Sequence, residues 1–295
     1  MITLNLVDST KSQIDYKISK FPDGQQTIDL LDWTSLDRYT DPLLITTRLN
    51  SFKDVELLIC AVQALRNIKP NCQISLYTPY FLGSRSDRKF VEGGVNYLKQ
   101  VICPIINSLN FHSVVVLDPH SDVLEACLNN YEKADNHILV KWALTDIDNK
   151  DGAQSRICLV SPDAGAYKKI FDVAKNFSIN KIITANKVRD MKTGNILRTE
   201  IPVLDQHDDI QYVIIDDICD GGRTFVELAK AIKEGRPTAK IYLVVTHGIF
   251  SAGYSQLGEY FERIYTTNSY KGIGETEFHG SELQQTKVKQ FNVFK

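Results

Sequence analysis

Val213-Ile214-Ile215-Asp216-Asp217-Ile218-Cys219-Asp220-Gly221-Gly222-Arg223-Thr224 reads as a hydrophobic strand that runs into a glycine turn and then a helix. The strand ends on two carboxylates, a third acid opens the turn, and a hydroxyl stands where the helix starts. In an open α/β sheet, ligands bind at the carboxyl ends of the strands. Backbone N–H groups in a glycine turn, with a helix N-terminus behind them, form a phosphate cradle. The adjacent acid pair suits the vicinal hydroxyls of a ribose. An ordinary strand-to-helix turn needs a single capping side chain. Three acids and two glycines together exceed that need.

The surrounding segments set the fold class. Residues 157–160, 181–183, 212–215 and 241–245 are strand-like, and 167–176 and 224–233 carry helical periodicity. The same alternation runs through the first half: strand 42–48, a helix marked by Val55, Leu58, Ile59, Val62 and Leu65, strand 74–77, helix 95–109 and strand 113–117. This rhythm predicts an α/β protein built on largely parallel sheets flanked by helices. The first forty residues differ, since Ile14, Tyr16 and Ile18 alternate as in an antiparallel hairpin. Asp146 to Gly152 reads as a polar turn, which places a domain boundary just before it. The expected division is an N-terminal α/β domain of residues 1–140 and a C-terminal one of residues 141–295. Val288–Phe294 is strand-like and is left open to return to the N-terminal domain.

Composition narrows the class. A chain of 295 residues that is 43% hydrophobic can bury a core in two domains. A formal net charge of -2 gives no field to recruit nucleic acid or an anionic membrane. No apolar run approaches the roughly 18 residues of a membrane span, and Met1-Ile2-Thr3-Leu4-Asn5 lacks a signal-peptide pattern. Cys60, Cys72, Cys103, Cys127, Cys158 and Cys219 are scattered with no C-x-x-C pair, which predicts free thiols in a reducing cytosol. A cytoplasmic protein with no nucleic-acid or membrane partner is the expectation.

The loop 216–224 resembles that of the ribose-phosphate pyrophosphokinases (PRPP synthetases), which reads approximately D-D-x-x-D-T-G-G-T and is shared with type I phosphoribosyltransferases. Five further segments resemble the family in order along the chain. Phe21-Pro22-Asp23-Gly24-Gln25 is similar to F-S-D-G-E, and Pro79 to Lys89 (Pro-Tyr-Phe-Leu-Gly-Ser-Arg-Ser-Asp-Arg-Lys) is similar to P-Y-F-x-Y-A-R-Q-D-R-K. Asp118-Pro119-His120 resembles D-L-H, Ser161-Pro162-Asp163-Ala164-Gly165 resembles S-P-D-x-G, and Thr246-His247-Gly248-Ile249-Phe250-Ser251 resembles T-H-P-I-F-S. The resemblance implies two tandem phosphoribosyltransferase-like domains and a Mg²⁺-dependent transfer of diphosphate from ATP to a ribose phosphate.

It also implies roles. Asp216 and Asp217 would hold the 2- and 3-hydroxyls of the acceptor ribose, while Asp220, Gly221, Gly222, Arg223 and Thr224 form the loop around its 5-phosphate. His120 and Asp163 would contact Mg²⁺, although ion chemistry alone would not select a histidine for it. Arg85, Ser86 and Asp87 would clamp the phosphates of ATP, a task for which a guanidinium is well shaped. Phe21 would stack on adenine while Asp23 and Gln25 read its edge, and in the family this segment serves a neighbouring subunit, which implies a homo-oligomer. Lys187 and Arg189 stand where the family's mobile catalytic loop begins, and with His120 they make up the catalytic set.

Four positions depart from the pattern. Ser86 replaces a glutamine of the clamp and Gln25 replaces a glutamate. In the phosphate loop, Gly221 stands in place of a threonine and Arg223 in place of a glycine. An opened loop with an added guanidinium would also suit a ribose whose 5-phosphate is extended, such as ADP-ribose, so that the product would feed NAD synthesis. Ribose 5-phosphate remains the default acceptor. A phosphoribosyltransferase, or a non-catalytic regulatory homologue, is the remaining alternative.

Overall fold

The computed structural model describes residues 2–31, 42–151, 156–189, 196–202, 204, 210–275 and 287–294. These fall into two compact units, Met1–Asp135 with Val293–Lys295, and Asn136–Asn292.

The first unit holds strands β1 (Thr3–Asn5), β4 (Leu43–Thr46), β5 (Ile74–Tyr77), β6 (Ser113–Leu117) and β7 (Tyr131–Ala134), paired in that order and all parallel. Helices α1 (Phe52–Ile68), α2 (Cys103–Ser108) and α3 (Val123–Cys127) connect them. Val55, Leu58, Val62 and Leu65 recur on the buried face of α1, as their spacing requires. The predicted helix 95–109 begins as a π-helical turn, Leu98–Ile102, that runs straight into α2. Strands β2 (Tyr16–Lys20) and β3 (Gln26–Leu30) form the antiparallel hairpin that the alternation of Ile14, Tyr16 and Ile18 predicts, with Ile18 opposite Ile28.

The second unit begins with α4 (His137–Asp151) and carries β8 (Ile157–Ser161), α5 (Tyr167–Asn176), β9 (Lys181–Thr184), a ribbon of β10 (Asn186–Arg189) and β11 (Ile196–Glu200), β12 (Gln211–Cys219), α6 (Arg223–Gly235), β13 (Lys240–Gly248), α7 (Ser255–Tyr260), β14 (Arg263–Thr267) and β15 (Val288–Phe291). Its six-stranded sheet runs β15-β14-β13-β12-β8-β9, all parallel. Side chains alternate across β12 with the period of two expected of a strand. Tyr212 and Ile214 pack with Phe225, Leu228 and Ile232 of α6, whereas Val213 and Ile215 pack with Leu144 and Ile147 of α4 and Ile170 and Val173 of α5. Both faces of the sheet are therefore covered, and the strands read as near-continuous apolar runs.

Three expectations are corrected. The polar stretch from Asp146 is not a turn, because Asp146–Asp151 continue helix α4. Its few apolar positions fall on the core side, where Ile147 is fully buried, and the Asp146 carboxylate is held by Arg263, Tyr265 and Lys289. The expected 140/141 boundary lies inside that helix, and the compact units part at Asp135/Asn136 instead. The final strand does not return to the N-terminal domain. Ile264 and Thr267 of β14 pair with Val288 and Phe291 of β15, and only the tail from Val293 groups with the first unit. There the Phe294 ring meets Tyr77 edge-on, with centroids 6.3 Å apart.

No helix among the described residues is long and apolar enough to cross a membrane. All six cysteines are free.

Candidate active site

Strand order gathers the candidate acceptor residues. The chain leaves β8 for β9 on one side and then returns to β12 on the other, so the sheet has a switch point between β8 and β12, where open α/β sheets bind ligands. Asp163 follows β8, Lys187 and Arg189 follow β9, and the 216–224 segment closes β12. The strands are parallel, so all of these lie at one sheet edge. Thr246 to Ser251 ends β13 at the same edge.

β12 runs further than the apolar residues alone predict, continuing through Asp216 and Asp217 to Cys219, which pairs with Gly248. The Asp217 N–H donates to Asp216 Oδ1 at 2.9 Å, and Asp217 is buried. Burial, the Asp217 charge and a side-chain hydrogen bond between the two groups push the Asp216 carboxyl well above the usual carboxylate range. The Asp217 backbone N–H and the Lys169 ammonium pull it the other way. Two carboxyl groups forced together in this way are relieved by hydroxyl donors or a cation. Cys219, fully buried between them and the turn, is a packing residue whose thiol is pushed far up by burial.

The turn depends on glycine. Gly222 precedes α6 in the left-handed region, with φ 80°, and a Cβ there would lie 3.1 Å from Leu257 Cδ2. Glycine is required on both counts. The N-cap position is Gly222, so none of the three acids is the N-cap residue of α6. Gly221 is exposed, and a Cβ there would meet Ser251 Oγ at 3.8 Å and Ala252 Cβ at 4.0 Å, in ordinary van der Waals contact. Arg223 is the exposed first residue of α6, and Thr224 is half-buried behind it.

Asp163 accepts the Ala166 N–H at 3.1 Å through Oδ1, and its carbonyl takes the Ser161 hydroxyl at 2.7 Å. Lys187 and Arg189 require a correction. They lie on strand β10 rather than in a loop, because Asn186–Arg189 pairs antiparallel with Ile196–Glu200.

The candidate nucleotide residues all belong to the first unit. Arg85, Ser86 and Asp87 follow β5, and Asp118 to His120 follow the adjacent β6, with the Leu117 N–H donating to the Pro79 carbonyl at 3.1 Å. The clamp is tied at both ends. The Ser86 N–H donates to Gly83 O at 2.8 Å, the Leu98 N–H to Ser86 O at 3.1 Å, and Asn96 Nδ2 to Asp87 O at 2.6 Å. Gly83 (φ 80°) sits under the Tyr97 ring, so a side chain at this position has no room. Arg85 and His120 are exposed, and Asp118, with φ 44°, is buried beneath the turn that presents His120. Phe21 stands at the tip of the β2–β3 hairpin with half its surface exposed. The tip is closed by Phe21 N–H to Gln25 O and Gly24 N–H to Phe21 O, both 2.9 Å, and by Gln25 N–H to Asp23 Oδ1 at 3.1 Å.

Among the described residues, no group of three or more His, Cys, Asp or Glu side chains is placed to hold a metal ion. Mg²⁺ keeps waters and takes substrate phosphates as ligands, so one or two protein contacts suffice. The oxygen donor of Asp163 in the second unit fits that habit, and His120 stands exposed in the first unit.

The comparisons with known proteins bear on this arrangement. No family model matches the chain. The ribose-phosphate pyrophosphokinase of Sulfolobus acidocaldarius is 25% identical over 272 residues, covering 90% of this chain and 87% of the relative. That of Haemophilus ducreyi is 26% identical over 235 residues, covering 79% and 71% respectively. The crystal structure of phosphoribosylpyrophosphate synthetase from Mycobacterium smegmatis superposes with a TM-score of 0.73 over 97% of this chain and 88% of that one, at 14% identity. Over most of its length the chain is similar to ribose-phosphate pyrophosphokinases. Its fold is that of the Mycobacterium smegmatis synthetase, with two α/β units on parallel sheets.

Two features of the site escape a reading of the sequence. Lys169, on α5, is electrostatically linked to Asp216, and nothing in its local sequence separates it from Lys168. Ser251 contacts the phosphate loop, yet the Thr246–Ser251 segment carried only a resemblance and no role.

Proposed function

We propose that this protein transfers the β,γ-diphosphoryl group of ATP to the anomeric 1-hydroxyl of ribose 5-phosphate, releasing AMP. The observation that carries this reading is the loop at the end of β12, where an acid pair and a helix start with a left-handed Gly222 at its N-cap stand together at the switch point of a parallel sheet. The relatives named ribose-phosphate pyrophosphokinase support it.

In this reading the amides of Asp220 to Thr224 and the Thr224 hydroxyl hold the 5-phosphate, and Asp216 and Asp217 accept hydrogen bonds from the ribose hydroxyls. Arg85, Ser86 and Asp87 bind the ATP phosphates. Phe21, Asp23 and Gln25 bind adenine on another subunit, which makes the active protein a homo-oligomer. The anomeric oxygen attacks the β-phosphorus, the bond to the α-phosphate oxygen breaks, and AMP leaves. Lys187 and Arg189 stabilise the charge that spreads over the moving group. Asp163 and His120 would hold Mg²⁺, which supplies polarisation of the phosphoryl oxygens.

Chromatographic detection of AMP, dependent on Mg²⁺ and on ribose 5-phosphate, tests the reaction. No AMP with any ribose phosphate ends this reading in favour of a phosphoribosyltransferase or a non-catalytic homologue. Sedimentation of the active species tests the oligomer, and a fully active 33.4 kDa monomer overturns it.

A second acceptor is favoured by one observation. Gly221 and Arg223 both stand exposed in the loop, and Arg223 adds a guanidinium that would suit a 5-diphosphate such as that of ADP-ribose. Comparing kcat/KM for the two acceptors separates the readings, and a preference for ADP-ribose should shrink in Arg223→Gly. A preference for ribose 5-phosphate of about 100-fold, about 2.7 kcal/mol, removes the extended acceptor.

A further inference from the structure

We infer that Ser251 is a positioning residue for the acceptor loop, acting through Asp220; the inference rests on the reading of residues 216–224 as the ribose-phosphate loop. The segment after β13 is bonded to this loop residue by residue. The Ile249 N–H donates to Cys219 O at 2.8 Å, the Phe250 N–H to the same carbonyl at 3.1 Å, and the Ser251 N–H to Asp220 O at 3.2 Å. The Ser251 hydroxyl then donates to Asp220 Oδ1 at 2.5 Å. Ser251 thus holds the backbone and the side chain of Asp220 together. A hydroxyl-to-carboxylate bond of this length belongs to the strong, charge-assisted class.

The segment is itself held in place. Phe250 takes a left-handed backbone, φ 46°, which a residue with a Cβ rarely adopts. The conformation persists because its surroundings determine it. The Phe250 ring is buried, lies against Tyr254 with centroids 4.7 Å apart, and covers Gly248 so closely that a Cβ on that glycine would sit 2.0 Å from Phe250 Cε2. The Gly253 N–H closes the turn on Phe250 O at 3.0 Å. Ser251 follows Phe250 directly, so this packing fixes where its hydroxyl stands.

The chemistry decides the role. A serine hydroxyl has one proton, and here that proton is committed to Asp220, so Ser251 has none to give a phosphate oxygen. Its Oγ is nevertheless the atom nearest the position of the missing Gly221 Cβ, at 3.8 Å. An unrestrained carboxylate beside a phosphate cradle repels the ligand that the cradle is built to hold. Ser251 ties the Asp220 carboxylate down at that border, so that the loop amides meet the acceptor phosphate without it.

Steady-state kinetics of Ser251→Ala and Ser251→Thr in the full chain test this, with ribose 5-phosphate and ADP-ribose as acceptors in parallel. Ser251→Ala should raise the acceptor KM about 10-fold, leave the KM for ATP within twofold and change kcat less than about threefold. Ser251→Thr, which keeps the hydroxyl, should restore the acceptor KM to within about threefold of the wild-type value. An acceptor KM unchanged in Ser251→Ala, an equal rise in both KM values, or no rescue by threonine overturns the inference. Calorimetric titration of ribose 5-phosphate into the wild type and Ser251→Ala, with no ATP present, separates it from the reaction. A wild type that binds the acceptor but releases no AMP defeats the proposed reaction alone, whereas equal affinities for the two proteins defeat the role of Ser251 alone.

Discussion

The loop at the end of β12 and the two antiparallel ribbons both carry candidate residues, but they are built in opposite ways. The loop is held by tertiary structure: β13 pairs alongside it as far as Gly248, residues 249–251 bond to it, and Leu257 packs beneath Gly222. The β2–β3 hairpin tip is closed by bonds among its own residues 21–25, and β10 and β11 pair only with each other within their sheet. A site wall that must hold a phosphate among fixed amides gains from a framework that cannot shift. A segment that approaches a nucleotide or closes over a reaction gains from weak attachment to the core. The body of the β2–β3 hairpin packs on the core through Ile28 and bonds to α1 through Gln26. Only substitutions at its exposed tip, and at Lys187 or Arg189, should therefore change function without stability, whereas substitutions around the loop should change both.

The largest effect expected is at the β10 ribbon. Lys187→Ala or Arg189→Ala should lower kcat at least about 100-fold, a loss of about 2.7 kcal/mol or more of transition-state stabilisation. The KM values and the Tm should barely move. Near-normal turnover in both variants removes the ribbon from the mechanism, and a large fall in Tm would show that it is part of the framework after all.

Gly222→Ala should do what the ribbon variants do not. The added Cβ has to take a left-handed backbone and press on Leu257 at 3.1 Å, which together cost about 1–2 kcal/mol of stability. The acceptor KM should rise about 30-fold, because the amides at the start of α6 turn away from the phosphate. Urea denaturation and kinetics on the same variant check the two halves. An unchanged acceptor KM with a lowered stability would detach the turn from binding.

The same contrast explains what was legible in the sequence. Alternating apolar strands and helical periodicity predict the two parallel sheets, since burial on both faces leaves a plain pattern in β8, β12 and β13. Asp216, Asp217, Gly221 and Gly222 were legible because no ordinary turn needs them together. Asp146 was misread as turn material because its neighbours are polar, whereas its partners Arg263 and Lys289 lie more than a hundred residues away. Lys187 and Arg189 were placed in a loop for a similar reason: strand pairing with residues 196–200 depends on a partner, and polar ribbons lack the apolar alternation that marks a half-buried strand. The part played by Ser251 depends on the left-handed turn at Phe250, which no local pattern announces.

Phe21→Ala sharpens the comparison at the other ribbon. Half of the Phe21 surface is already exposed, so truncation should leave the Tm within about 1 °C. Loss of an aromatic platform for adenine should raise the KM for ATP about 10-fold, about 1.4 kcal/mol, with the acceptor KM unchanged. If the Tm falls while the KM for ATP holds, the residue packs within its own subunit and the argument for a shared nucleotide site loses its footing.

The smallest effect tests the framework where it is far from chemistry. Asp146 on α4 joins β14 and β15 by accepting from Arg263, from the Tyr265 hydroxyl at 2.7 Å and from Lys289. Burial alone would raise its carboxyl. The hydrogen bonds from Lys289, Tyr265 and Arg263 and the charge of Arg263 outweigh it and hold the group below the usual carboxylate range. A carboxyl depressed in the folded state stabilises the protein above its unfolded pKa, near 3.9, and loses that contribution as pH falls through the folded value. The side chains of Asp146, Arg263 and Lys289 keep 24%, 25% and 33% of their exposure, so solvent screening limits the contribution. Asp146→Asn should cost about 1 kcal/mol at pH 7, with kcat and both KM values within twofold of wild type. In urea titrations the gap between the two proteins should narrow below about pH 4, where the wild-type carboxyl takes up its proton. A gap that stays constant on acidification would mean that the shape of the side chain, rather than its charge, ties α4 to the last two strands.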